Sequence, residues 1–204
     1  EKERKKERER ESVLIHGNPH MFEDKEIQVL NDTISLSLSL HSHMILVINI
    51  GVHFNTQADK KHRYLNSPSH FNTTIHHVLP ILHSHVVASQ GRLLVIWLET
   101  LPQHYNTSNG YYGGTQTACV PIREREREKD WRNYMVYRTV RDLNLFHIHI
   151  LPLRDIFVPL FAEHVSGDYI DCTHYCWSPM LHQFLFFQLL RVSTPHLTRM
   201  LECI

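Results

Sequence analysis

The sequence has no net charge: 21 Lys and Arg stand against 21 Asp and Glu. No global field therefore favours nucleic acid or an anionic membrane, and electrostatics names no macromolecular partner. It also lacks a long apolar run. The best stretch, Met44 to Ile48 even when extended to Ile50, falls far short of the ~20 residues a membrane span needs. No apolar signal-peptide core follows the charged opening residues, Glu1 to Glu11, so the chain as written carries no targeting segment and no membrane span is expected. Paired Cys-x-x-Cys arms are missing too. Cys119, Cys172, Cys176 and Cys203 are too widely placed for a standard structural zinc site.

What is present is enough for one domain: 204 residues, 42% of them hydrophobic. Three tracts look like repetitive DNA read as protein. Glu1 to Glu11 is almost wholly Glu, Lys and Arg, Arg123 to Glu128 repeats Arg-Glu, and Ser35 to Leu40 repeats Ser-Leu. A repeating GA dinucleotide encodes the Arg-Glu alternation and a repeating CT dinucleotide the Ser-Leu alternation. Such tracts stay solvated or disordered and carry no chemistry; a docking arm or a solvated mixed-charge helix is the alternative. The expected organisation is a low-complexity or disordered region over 1–40, then an α/β domain over 41–204 with a charged insert at 123–129.

Within that domain, His43 to Ile50, Arg92 to Glu99 and Asn144 to Ile150 are rich in Ile, Val and Leu, as buried parallel strands are. Helical spacing follows in Ser69 to Ser89, despite Pro80, in Asp130 to Leu143 behind an aspartate cap, and in Ser178 to Val192 with Pro179 in its first turn. Alternating strand and helix implies a parallel sheet covered on both faces, a three-layer α/β fold. In such a sheet, ligands sit beyond the carboxyl ends of the strands. The residues there are polar: Asn49 to Asn55, Glu99 to Gly114, and Gly167 to Cys176.

The block Asp171-Cys172-Thr173-His174-Tyr175-Cys176 resembles the SGNH (GDSL-like) hydrolase superfamily, and more narrowly its PC-esterase and trichome-birefringence-like group. Plant members of that group are polysaccharide O-acetyltransferases. Asn49-x-Gly51 after a strand, and Gly113-Gly114 followed by Cys119, are similar to the group's other blocks. The resemblance spans roughly Ile45 to Val192 and implies a three-layer SGNH-like fold. It makes His174 the general base and Asp171 the carboxylate that orients it. Three residues apart on a turn or a short helical start, their side chains can face the same way; a polar surface turn is the rival reading. By the same resemblance Asn49 or the Gly51 amide donates to the oxyanion, a Cys119–Cys172 disulfide clamps the long loop to the catalytic turn, and Cys176 seeks a partner elsewhere. Reduced thiols are the alternative for the cysteines. His104 and Asn106, in the polar loop beside the site, are candidates for substrate contact, with loop structure the rival reading for His104.

One element of the family pattern is missing. No Gly-Asp-Ser occurs anywhere in the sequence, and Ser35, Ser37 and Ser39 lack the strand-to-turn glycine that presents a nucleophile. The expectation is therefore an N-terminally truncated SGNH-like acyl-ester hydrolase or carbohydrate O-acetyltransferase homologue, inactive as written because a triad without its serine retains little acyl chemistry. The alternative is a non-catalytic glycan-binding or remnant protein with Tyr111, Tyr112 and Trp177 on its surface. The resemblance implies a secretory or Golgi location, and sequons at Asn31, Asn72 and Asn106 agree with it.

The sequence holds 18 histidines, among them His41-x-His43, His83-x-His85 and His147-x-His149. Each pair can place two imidazoles on one strand face, a geometry that holds zinc or nickel. No carboxylate or cysteine lies at matching spacing, so surface or strand-end histidines are the reading, with neither metal nor cofactor expected.

Overall fold

The structure, a computed structural model, describes residues 24–41, 43–52, 54, 67–107, 118–122, 130–165, 170–176 and 178–202. The tracts at 1–11 and 123–129, and Tyr111, Tyr112, Gly113, Gly114, Trp177 and Cys203, lie outside the described residues.

Three strands form a parallel sheet in the order β1 (Met44–Ile48), β2 (Leu93–Leu98), β3 (Ile148–Leu151). All three coincide with the apolar runs; β1 and β2 end one or two residues inside the expected bounds, while β3 starts four residues later and ends one residue later than expected. The central strand β2 is buried along nearly its whole length, as a strand packed on both faces must be. Leu93, Val95 and Trp97 point to one face, where they meet helices α1 (Asp24–Leu40), α2 (Pro68–Ala88) and α3 (Trp131–Asp142). Leu94 and Ile96 point to the other, against α4 (Arg154–Phe157) and the inner side of α5 (Pro179–Glu202). The protein is thus α/β, with helices on both faces of the sheet.

Helix α2 starts where Ser67 caps it, its side chain accepting the His70 N–H at 3.1 Å, with Pro68 in the first turn. Pro80 is tolerated inside α2, and Phe71, Ile75, Val78, Leu79 and Leu82 form the expected buried stripe. Helix α3 lacks the side-chain cap bond expected of Asp130.

The disorder expected up to residue 40 does not hold for 24–40, which is helix. The Ser-Leu alternation hid a second register: Ile27, Leu30 and Ile34 fall at helical spacing, are buried in the core, and continue into Leu38. The serines are quieted by back-bonding, Ser35 Oγ to Asn31 O at 2.9 Å and Ser39 Oγ to Leu36 O at 2.7 Å. Leu36 and Leu40, on the far side, stay exposed.

A second, two-stranded antiparallel sheet pairs β4 (His164–Val165) with β5 (Asp171–Tyr175). The turn or helical start expected at Asp171 is instead this strand. Its register is broken: His164 faces Tyr175 while Val165 faces Asp171, so Cys172, Thr173 and His174 are extra residues opposite a single step of β4.

Candidate active site

That bulge builds the site. In a regular strand, residues three apart point to opposite faces. Here Asp171 Oδ1 accepts the backbone N–H of Thr173 at 2.8 Å and of His174 at 3.2 Å, which curls the chain around the carboxylate. The second oxygen, Oδ2, then lies 2.6 Å from His174 Nδ1. Burial pushes the Asp171 carboxyl up, but the bonds from the His174 ring and the two amides outweigh it, so its net direction is below the ordinary aspartate value. An ionised Asp171 fixes the Nδ1–H tautomer of His174 and leaves the lone pair on Nε2. The imidazole is 60% exposed while the carboxylate beneath it is 20% exposed.

The bulge is anchored to the sheet's carboxyl edge by four ties. Cys172 is fully buried and disulfide-bonded to Cys119, with the two Cα atoms 5.4 Å apart. The His104 N–H donates to Cys172 O at 2.9 Å. Gln103 Nε2 donates to Thr173 Oγ1 at 3.0 Å, and the Tyr105 hydroxyl lies 2.9 Å from the same oxygen. Gln103 is held in turn by the buried Arg132, whose Nη2 reaches Gln103 Oε1 at 3.2 Å and whose Nε donates to Phe54 O at 2.8 Å. Segments after β1 and β2, helix α3 and the bulge are thereby locked into one unit.

A cavity of about 340 Å³ opens beside His174. Asn49, Glu99 and Thr173 line it together with His174, so segments following β1 and β2 do meet β5 there. Asn49 is in place but its amide is spent: Nδ2 donates to Leu98 O and Glu99 O, both at 3.0 Å. The side-chain oxyanion role expected of it has no N–H left to perform it. Gly51 does not line the cavity. Its role is steric: a Cβ would come 2.2 Å from Thr100 Oγ1, at a φ of +150° that side chains rarely adopt.

His104 takes the structural role that was the rival to substrate contact. Rather than facing substrate it is fully buried, with Nε2 3.0 Å from Val158 O and Nδ1 2.6 Å from His164 Nε2. His164 Nδ1 lies 3.1 Å from His174 O. Both outer nitrogens face carbonyls, which can only accept; a neutral pair has two N–H groups for three contacts, so one contact goes without its hydrogen. A third proton would complete all three, but burial opposes the charge. It is the main cause that lowers His104 to about 4, against the Val158 bond and with help from His164 and Arg154, and it lowers His164 as well. Asn106 is exposed and outside the cavity lining.

Sequence reasoning missed Glu99 as a builder of the site. Its carboxylate accepts the amides of Leu153 and Arg154, each at 2.8 Å, and the Tyr137 hydroxyl at 3.0 Å, joining β2 to α3 and α4. A charged residue ending a wholly apolar strand was the available signal. His164 was equally silent, being one histidine among many. Of the paired histidines, His83 and His147 stack across elements at 5.3 Å between centroids, and no cluster of three or more metal-ligating side chains exists among the described residues. The described helices include none long and apolar enough to cross a membrane. No family model matches the chain, and no curated protein matches it.

Proposed function

We propose that this protein is an SGNH-like acyl-ester hydrolase or carbohydrate O-acetyltransferase homologue that carries the acid–base half of the site, with His174 as base and Asp171 orienting it, and performs no acyl-serine catalysis. The 2.6 Å contact between His174 Nδ1 and Asp171 Oδ2, at the wall of a cavity, carries the reading. An ester is cleaved when a nucleophile is deprotonated as it attacks, and Nε2 of a histidine held in the Nδ1–H tautomer does that. Position supports it, since the cavity lies beyond the carboxyl edge of a parallel sheet. So does the disulfide, which fits the oxidising lumen that the family reading expects. No serine lines the cavity among the described residues. What His174 can activate directly is water, and general-base assistance of this kind gives about 10²-fold over the uncatalysed reaction.

The test is pre-steady-state hydrolysis of 4-nitrophenyl butyrate together with fluorophosphonate labelling read by intact mass. Slow turnover with no burst and no serine adduct is expected. A stoichiometric burst with a labelled serine contradicts the proposal.

A further inference from the structure

We propose that the cavity beside His174 takes a medium-length aliphatic acyl chain, not an acetyl group and not a sugar ring. The inference rests on the acyl-ester hydrolase arm of the proposed function, names its substrate class and counts against the carbohydrate O-acetyltransferase arm.

Size is the first argument. A cavity of about 340 Å³ has room for at least about ten non-hydrogen atoms. Acetyl would leave most of it empty. A chain of about eight to ten carbons fits within it.

The second argument is the chemistry of the wall. Leu98, Leu101, Leu153, Phe157, Leu181 and Leu185 supply its apolar part. Most of the N–H and O–H donors among the polar side chains that share it are already committed to protein partners, His182 Nδ1 among them at 2.9 Å from Ser178 O. Glu99 accepts from Tyr137, Leu153 and Arg154, and the Asn49 amide donates to two carbonyls. Thr173 is tied to Gln103 and Tyr105, the Tyr175 hydroxyl donates to Pro102 O at 3.0 Å, and Cys176 Sγ donates to His164 O at 3.2 Å. A sugar ring entering here brings several hydroxyls to a wall with few donors to spare, and each hydroxyl buried without a partner costs roughly tenfold or more in affinity. Each methylene that enters instead tightens binding about fourfold. The apolar wall therefore favours the acyl chain.

His174 then meets the ester at the polar end of the chain, while α5, through Leu181 and Leu185, forms part of the wall along which the chain lies.

The experiment is calorimetric binding of acetate, butyrate, hexanoate, octanoate and decanoate methyl esters, and of an acetylated methyl glucoside, to the full chain and to its His174→Ala variant. Affinity rising about fourfold per methylene at least as far as octanoate, with the glucoside ester weaker than octanoate, is expected for both proteins. Leu185→Trp, which narrows the cavity, should make the rise level off at shorter chains. Affinity independent of chain length, or tighter binding of the glucoside ester, overturns the inference. Because His174→Ala removes the proposed base but not the wall, chain-length dependence that survives in a protein without His174-dependent esterolysis sinks the acid–base reading alone. Esterolysis that depends on His174 without chain-length dependence sinks only this one.

Discussion

Asp171 Oδ2 stands 2.6 Å from His174 Nδ1 although both residues belong to one short strand, because the β5 bulge folds the chain around the carboxylate. If that contact selects the tautomer, Asp171→Asn should shift the His174 ring toward the Nε2–H form, visible in ¹⁵N ring shifts. Esterolysis should fall most of the way to the buffer rate, because the ring in the wrong tautomer presents no base to the attacking water. An unchanged ring spectrum would leave the contact without a role.

The Cys119–Cys172 bridge closes a loop with a sequence separation of 53. Loop-closure entropy puts its worth at about 4 kcal/mol. Urea unfolding in the presence and absence of a reductant should show a loss of that order. Cys176→Ser should be included so that the half-buried free thiol cannot exchange. A change under about 1 kcal/mol would mean that the reduced chain keeps the loop closed by other means.

The buried His104 and His164 give stability an acid limb. Folding favours the neutral form of a histidine whose folded pKa is lowered. The contribution is therefore fully present above the unfolded value near 6.5 and is lost as pH falls toward the folded value of about 4 for His104. The loss for His104 amounts to about 3 kcal/mol at most. Urea midpoints measured across this range should drop with acid, and His104→Phe should flatten the slope. Stability that increases on acidification would show instead that the pair holds a shared proton in the folded state.

Leu30 is 2% exposed in the core although it lies in a stretch that reads as low complexity. Leu30→Ala should cost about 2–5 kcal/mol in urea unfolding, whereas Leu36→Ala, on the exposed face, should cost less than about 1. Equal and negligible effects would return 24–40 to the status of a solvated arm.

These cases show what made some features legible. Strands β1 and β2 announced themselves because strands buried on a parallel sheet are continuous runs of Ile, Leu and Val. Helix α1 was hidden because a period of two in Ser and Leu masks the spacing of Ile27, Leu30 and Ile34, and only packing against α2 decides between the periods. The β4–β5 pair was hidden for the opposite reason: Asp171 to Tyr175 is polar, short and bulged, and nothing in its hydropathy marks a strand. The Asp171–His174 pairing was expected from the resemblance of the Asp-Cys-x-His-x-Cys block to a family, while the curl that produces it came from side-chain bonds to the Thr173 and His174 amides. His104 misled because a polar loop suggests exposure, whereas pairing with His164 and Val158 satisfies the ring in the interior.

The acid–base role of His174 is tested most directly by steady-state hydrolysis of 4-nitrophenyl butyrate at neutral pH by the wild-type chain and by His174→Ala. The fold should be unaffected by the substitution, because the ring is 60% exposed. The account predicts wild-type turnover about 10²-fold above buffer and its loss to the buffer rate in His174→Ala, with unfolding curves superimposed. Equal rates for the two proteins, at either level, would contradict it.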